Sequence, residues 1–266
     1  NLKDLFRPSH ADFTYLSKYG IRDHRGGGRA SARTTIAQCV AGALAKLALR
    51  QLAPQMDIYA FCSQIGTIYA NNPADIKAAR AISDSNAVRC PDSEAANKME
   101  SLIKEVHKEQ DSIGGVVSCI IENCPVGLGE PLFDKLHARL GYTMLNINAA
   151  KGFEYGDGFD SATQRGSYHN DSFTTNEKGS IATTSNHSGG IQGGISNGQT
   201  ISFRVAFKPT PTIGIAQQTV DKNLNAVTLE AKGRHDPCVV PRAVPVVENC
   251  AAFVILDSIL TNKIWQ

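Results

Sequence analysis

Apolar side chains recur along the chain with two periods. A spacing of three or four positions predicts helices over residues 34–50, 73–82, 93–109, 132–140 and 243–260. The first of these helices follows Ser31, a suitable N-cap, and ends before Pro54. Its apolar side chains share one face, which consists of Ile36, Val40, Leu44 and Leu47. In the helix over 93–109 we interpret the apolar stripe as core packing, and this stripe consists of Met99, Leu102, Ile103 and Val106.

Strand patterns fill several intervals between the predicted helices. The β-branched run over 115–122 predicts a buried strand, and alternating apolar side chains over 201–207 predict another. Residues 56–69 and 225–231 are also typical of strands. Residues 146–200 differ, because glycine and small polar residues replace any regular period. We predict a long irregular segment that has a functional role and an ordered backbone packed against a flat surface.

Composition narrows the class of protein. The chain has 266 residues, enough for one large domain or two modest ones, and its 42% hydrophobic and 20% charged residues are globular values. A net charge of +2 argues against a nucleic-acid or membrane partner, and no apolar run approaches the roughly 18 residues of a membrane span. Seven scattered cysteines without a C-x-x-C pair predict buried, reduced thiols and no metal site.

A glycine run between arginines is the strongest local signal for a ligand. The segment Arg25-Gly-Gly-Gly-Arg-Ala-Ser-Ala-Arg33 leads directly into the first long helix. Close backbone approach at glycine, free N–H groups at a helix start and arginine side chains together favour an oxyanion such as phosphate. The alternative is a flexible, solvated arginine loop, and a third interpretation, an RNA-binding Arg/Gly segment, is disfavoured by the near-neutral charge. Neither a P-loop nor a G-x-G-x-x-G motif occurs.

Candidate polar residues are dispersed, and each has an ordinary structural explanation when taken alone. They are Arg7, His10, Asp12, Arg29, Ser31, Arg33, His187, Lys208, Arg234 and Asp236. A single histidine near a helix start is more often a surface or capping residue than a catalyst. The sequence Arg234-His-Asp-Pro237 is compatible with a simple turn. The order of these residues along the chain is what makes them informative.

Seven motifs in that order resemble the chorismate synthase family over nearly the whole chain. They begin at Arg7-Pro-Ser-His-Ala-Asp12 and continue over residues 18–23, 26–33, 148–159, 185–190, 208–213 and 234–238. Thr34 and Cys39 depart from the family pattern, but neither position carries charge chemistry. The chain opens at Asn1 without an initiator methionine or targeting segment, and the resemblance implies roughly a hundred further residues in front of it. We therefore expect a fragment that has little or no activity by itself.

The resemblance implies an α/β fold, a single-domain layered sandwich of helices and mainly antiparallel sheets. Residues 1–266 would form one catalytic domain lacking its N-terminal segment, homotetrameric when complete and cytoplasmic, with a plastid location as the alternative. The implied reaction is the reduced-FMN-dependent anti-1,4-elimination of phosphate from 5-enolpyruvylshikimate 3-phosphate to give chorismate. It is the last common step of the shikimate pathway to aromatic amino acids. Flavin reduction by NADPH stays open. The rival function is that of a non-catalytic fragment or paralogue serving as a binding or assembly module.

The family's functional residues carry over to named positions. His10 would donate a proton to the departing phosphate, and Asp236 would act as the acid/base that helps deprotonate the flavin. The phosphate-binding residues would be Arg7, Arg33 and Arg234. The flavin contacts would be Arg29, Ala30, Ser31, Asn148, Ala149, Gly193, Lys208, Pro209, Thr210, Pro211, Thr212 and Arg234. We expect these residues to converge on one concave site.

Overall fold

The fold consists of seven helices and eleven strands in the computed structural model, which describes residues 2–177, 179–230 and 235–265. The helices are α1 (Asp12–Tyr19), α2 (Thr35–Leu52), α3 (Ile76–Asp84), α4 (Ser93–Lys108), α5 (Leu136–Leu145), α6 (Gly166–His169) and α7 (Val240–Asn262). The strands are β1 (Asp57–Ile65), β2 (Ile68–Tyr69), β3 (Gly115–Glu122), β4 (Ala150–Tyr155), β5 (Phe173–Thr175), β6 (Ile181–Thr183), β7 (Ile191–Gln192), β8 (Ile195–Ser196), β9 (Ile201–Phe207), β10 (Gln217–Val220) and β11 (Ala226–Leu229).

A five-stranded antiparallel sheet is the centre of the fold, with strand order β2-β1-β3-β9-β4. Strand β3 lies between β1 and β9, so that Cys119 is opposite both Ala60 and Phe203. In β9 the residues at every second position from Ile201 to Phe207 are buried, as expected for a strand with one face in the core. The strands predicted over 115–122 and 201–207 are therefore confirmed.

Helix α7 packs on the sheet and is the main helix of the core. Val247, Ala251 and Ile255 are fully buried, and α2 lies on the other side of α7. By length and apolar composition, Val240–Trp265 is long enough to cross a membrane, but 61% of its most apolar window is buried inside the protein. This corrects the expectation that no segment is apolar enough. A helix that is hydrophobic all round is also what a protein core requires.

The apolar face of α2 points away from the core. Ile36 and Leu44 are 72% and 64% exposed, and Val40 and Leu47 are exposed as well. The side of α2 that contacts α7 instead presents Gly42, where an added Cβ would lie 2.3 Å from the Cβ of Asn249. The two helix backbones can approach closely only where the side chains are small, so α2 packs on α7 through its Gly42 face. The apolar face predicted from the spacing of hydrophobic residues lies on the opposite side of the helix.

Residues 146–200 contain more regular structure than their composition predicted. Strand β4 pairs with β9 at the edge of the central sheet, and β5–β6 and β7–β8 form two hairpins. The register of β4 shifts between Ala150 and Gly152, which breaks the alternation that identifies a strand. The helix predicted over 132–140 occurs later, as α5, and β10 was not predicted at all. All seven cysteines are free, and the prediction of burial is confirmed for six of them, whereas Cys39 is partly exposed.

Candidate active site

A cleft of about 770 Å³ gathers residues from distant parts of the chain. Its walls come from the segment before α1, the turns before α2, the end of α5, the loop after β9 and the start of α7. Most of the predicted site residues line it: Arg7, His10, Ala30, Ser31, Arg33, Asn148, Ala149, Lys208, Thr210, Pro211, Thr212 and Asp236.

The glycine turn is held in place by backbone geometry and by Asn148. Gly27 and Gly28 have φ angles of 78° and 49°, a region that glycine enters without strain. The Ser31 hydroxyl accepts a hydrogen bond from the backbone N–H of Arg33 at 3.4 Å, so it caps the short 3₁₀ turn before α2. The Asn148 side-chain amide donates to the Ala30 carbonyl at 3.3 Å and ties the turn to the end of α5.

Arg33 has a free positive charge, whereas Arg7 does not. Within the described ranges no carboxylate forms an ion pair with Arg33. Arg7 contacts the buried Asp12 through Nε at 2.8 Å and NH2 at 2.9 Å, and Arg22 contacts the same carboxylate. Burial alone would raise the pKa of Asp12, but the hydrogen bonds and charge of Arg7, with the charge of Arg22, outweigh it and lower the pKa to about 2. Arg7 therefore organises the cleft as an ion-pair partner.

His10 has an uncharged partner and cationic neighbours. Its Nε2 lies 2.6 Å from the Thr212 hydroxyl, and Lys208 donates to the neighbouring Ser9 carbonyl at 2.9 Å. Burial and the charge of Arg7 lower the pKa of His10 to about 4, with a further lowering by Lys208 and an opposing effect of Asp12. His10 is therefore neutral at pH 7 in the cleft without ligand.

Asp236 forms an ion pair that the sequence analysis did not predict. Its Oδ2 lies 2.9 Å from NH1 of Arg242, in the first turns of α7, and its backbone carbonyl accepts a hydrogen bond from the Thr210 hydroxyl at 2.6 Å. Arg242 also lines the cleft. The signal that was missed is an arginine six positions after a candidate carboxylate, immediately before a predicted helix.

Three predicted residues, Arg29, Pro209 and Gly193, are not among the described residues that line the cleft. Arg29 and Pro209 are chain neighbours of lining residues, and Arg234 lies outside the described residues. Gly193 is in the β7–β8 turn, where the next residue accepts a hydrogen bond from the backbone N–H of Leu136 at the start of α5. Asn148 follows the other end of α5, a ten-residue helix that is about 15 Å long.

His187, another candidate from the sequence, lies in a second cavity of about 590 Å³. Its Nδ1 lies 2.7 Å from Oδ2 of Asp157, and its ring stacks on that of His169. The wall of this cavity also contains His137, whose ring stacks on Tyr155. The structure thus separates His187 from His10, although sequence motifs had placed both in one candidate set.

Fold and cleft together define an α/β protein of helices and mainly antiparallel strands, with a cleft that a glycine turn and cationic side chains line. The family model described as Chorismate synthase matches residues 1–260. The chain is 57% identical to chorismate synthase of Phocaeicola vulgatus, covering 100% of this chain and 73% of that protein, and 56% identical to chorismate synthase of Cytophaga hutchinsonii, covering 99% and 72%. A solved structure, described as the crystal structure of chorismate synthase, matches with a TM-score of 0.78 at 29% identity, covering 95% of this chain and 70% of that one.

The chain belongs to the chorismate synthase family. The structural match confirms the expected fold class of helices and antiparallel sheets. The relatives support the family's function over the rival interpretation of a non-catalytic binding or assembly module.

Proposed function

We propose that this chain provides the catalytic cleft for the elimination of phosphate from 5-enolpyruvylshikimate 3-phosphate to give chorismate, a carbon–oxygen lyase reaction that requires reduced FMN. The observation that carries the proposal is the convergence of a neutral histidine, a carboxylate and unpaired cationic groups in one cleft: His10, Asp236, Arg33 and Lys208. The names of the bacterial relatives support the reaction. We extend the proposal to a cytoplasmic homotetramer, as the resemblance implies.

The shape and polarity of the cleft fit a flavin mononucleotide. A volume of about 770 Å³ lies within the range of cofactor sites. Ala243 and Val246 of α7 give an apolar wall for a planar ring, while Arg33 and Lys208 supply positive charge for a phosphate. Ser31, Asn148 and the loop 208–212 would hold the group. When bound, reduced FMN would supply an electron-rich ring that assists loss of phosphate and accepts the proton from carbon.

The chain's own residues would supply anion stabilisation and proton transfer. Arg33, with its guanidinium free of any carboxylate among the described residues, would bind the phosphate as it accumulates charge. His10 would give a proton to the departing phosphate, and the incoming dianion would raise the low pKa of His10 by offsetting Arg7 and Lys208. Asp236, held by Arg242, would act as the acid/base that helps deprotonate the flavin.

The test uses the protein that contains this chain under anaerobic conditions. We expect reduced FMN to bind, and chorismate to accumulate from 5-enolpyruvylshikimate 3-phosphate as followed by its absorbance. Asp236→Asn should retain flavin binding and lose turnover by about two orders of magnitude or more. Tight flavin binding without any chorismate formation would contradict the proposed reaction, and turnover without flavin would contradict the cofactor.

A further inference from the structure

The loop 208–212 connects three parts of the cleft through hydrogen bonds. Lys208 donates to the Ser9 carbonyl, next to His10, and the Thr210 hydroxyl donates to the Asp236 carbonyl. The Thr212 hydroxyl lies 2.6 Å from Nε2 of His10. Two prolines, at positions 209 and 211, restrict the backbone of the loop. One short segment therefore contacts the segments of both candidate proton-transfer residues.

We propose that Thr212 is a positioning residue for His10, whose hydroxyl holds Nε2 in both protonation states and leaves Nδ1 as the nitrogen that exchanges a proton with the ligand. The inference rests on the proposed function, because it specifies how His10 acts there. The resemblance alone assigns Thr212 only a contact with the flavin. The geometry points to a second role for its side chain.

A hydroxyl suits this role because its oxygen is an acceptor whose strength does not depend on pH near neutrality. Its oxygen can accept from the Nε2–H of the neutral ring and from the Nε2–H of the imidazolium, so that only Nδ1 gains or loses a proton. Among the described residues, no other side chain bonds either ring nitrogen of His10, so this one contact sets the orientation of the ring. The β-branched side chain of Thr212 has few rotamers, which limits how far the hydroxyl can move.

The surroundings of His10 make the contact more important. Arg7 and Lys208 oppose a positive charge on the ring, and Asp12 opposes them only in part because it is shared with Arg22. The imidazolium therefore depends on the hydroxyl oxygen that accepts its Nε2–H. Replacing that hydroxyl by a methyl group of similar size leaves the Nε2–H without an acceptor, which destabilises the charged ring and lowers the pKa of His10 further.

Ligand-free protein tests the contact without any assay of activity. The protein that contains this chain is labelled with ¹⁵N-histidine, and nitrogen shifts of His10 are followed against pH. We expect Thr212→Val to replace one dominant tautomer by a mixture and to lower the pKa of His10, whereas Thr212→Ser keeps the wild-type shifts. Thr210→Val removes a hydroxyl from the same loop but not from His10, so its His10 spectrum should match wild type. Wild-type shifts and pKa in Thr212→Val would overturn the assignment.

Kinetics then test whether Thr212 acts through His10. Thr212→Val should lower kcat about 3- to 10-fold, the worth of one hydrogen bond, with little change in KM. Thr212→Ser should restore kcat, and Thr212→Val should have no further effect in a His10→Ala background. An equal loss in both backgrounds would show that Thr212 acts elsewhere. If the wild-type protein forms no chorismate, the proposed function fails, while the ¹⁵N spectra still decide the role of Thr212.

Discussion

Two cavities of this protein each contain a histidine within reach of polar partners, and their charges differ. The first cleft, of about 770 Å³, is lined by Arg7, Arg22, Arg33, Arg242 and Lys208, and His10 contacts a neutral hydroxyl there. The second cavity, of about 590 Å³, has histidines, aromatic rings and Glu154 on its wall, and no lysine or arginine among the described residues that line it. Its His187 contacts the carboxylate of Asp157.

The difference shows why a histidine–carboxylate pair does not by itself identify a catalytic site. Asp157 satisfies His187 locally, so that pair needs no ligand. Among the described residues, three carboxylates line the cleft, and all are already engaged by arginines: Asp12, Asp23 and Asp236. Arg33 and Lys208 retain positive charge that no described carboxylate neutralises. An anionic ligand would neutralise this excess positive charge, so the cleft favours anions.

The largest expected difference concerns the two histidines. His10→Ala should lower kcat by about two to four orders of magnitude, as loss of a general acid does, while flavin affinity changes little. His187→Ala should lower kcat less than about threefold, since exposed or self-contained pairs contribute little. Steady-state kinetics of both variants measure this. Equal losses would mean that the second cavity takes part in the reaction.

Next in size is the effect of the unpaired arginine. Arg33→Ala should weaken binding of inorganic phosphate and of the phosphorylated substrate by about 10- to 100-fold, because it removes charge-assisted hydrogen bonds. Arg33→Lys keeps the charge without the bidentate geometry, and we expect an intermediate loss. Calorimetric titration at two salt concentrations measures both. Arg204→Ala is the control, since Arg204 already pairs with Glu154 outside the cleft.

A stability prediction follows from the ion pairs of Asp12. Burial opposes ionisation of Asp12, but Arg7 and Arg22 hold its folded pKa at about 2, below the usual aspartate pKa of 3.8. A lowered folded pKa gives stability that is present above the unfolded pKa and is lost as pH falls through the folded one. Asp12→Asn should therefore cost about 2 kcal/mol at pH 7, and the difference should shrink between about pH 4 and pH 2.

Denaturant unfolding across this pH range measures the effect. Asp171 near the second cavity is the matched control: its pKa is also lowered, against the effect of burial, but by Ser188, Ser185 and backbone N–H groups and not by arginine. We expect salt to weaken the Asp12 contribution more than that of Asp171. A cost for Asp12→Asn that does not vary with pH would contradict the ion-pair explanation.

The smallest expected effect is that of Arg242, whose side chain is 65% exposed. Arg242→Gln should lower kcat about 3- to 10-fold, because an exposed pair orients Asp236 without strongly stabilising its charge. Combined with Asp236→Asn, Arg242→Gln should have no further effect. A full additional loss in the double variant would show that Arg242 binds ligand directly and does not act through Asp236.

The spacing of apolar residues along the chain predicted much of the secondary structure and part of the core. Strand β3 matches its predicted bounds because a β-branched run buried on both faces needs no partner to be recognised. Helix α4 begins at Ser93, after Asp92, whose carboxylate accepts from the backbone N–H of Glu94 and Ala95. The order of the motifs along the chain identified residues that the fold brings into one cleft. Gly193 is an exception, because it lies near the opposite end of α5.

The sequence by itself determined the alternating strands, the amphipathic α4 and the glycine turn before α2, because each depends on residues a few positions apart. Only the tertiary structure decided that α2 contacts α7 through Gly42, that β4 joins the sheet at its edge, and that Thr212 and Arg242 face His10 and Asp236. These features depend on which surfaces approach closely. Contacts of that kind join residues far apart in the chain, so the spacing of apolar residues within a short segment cannot predict them.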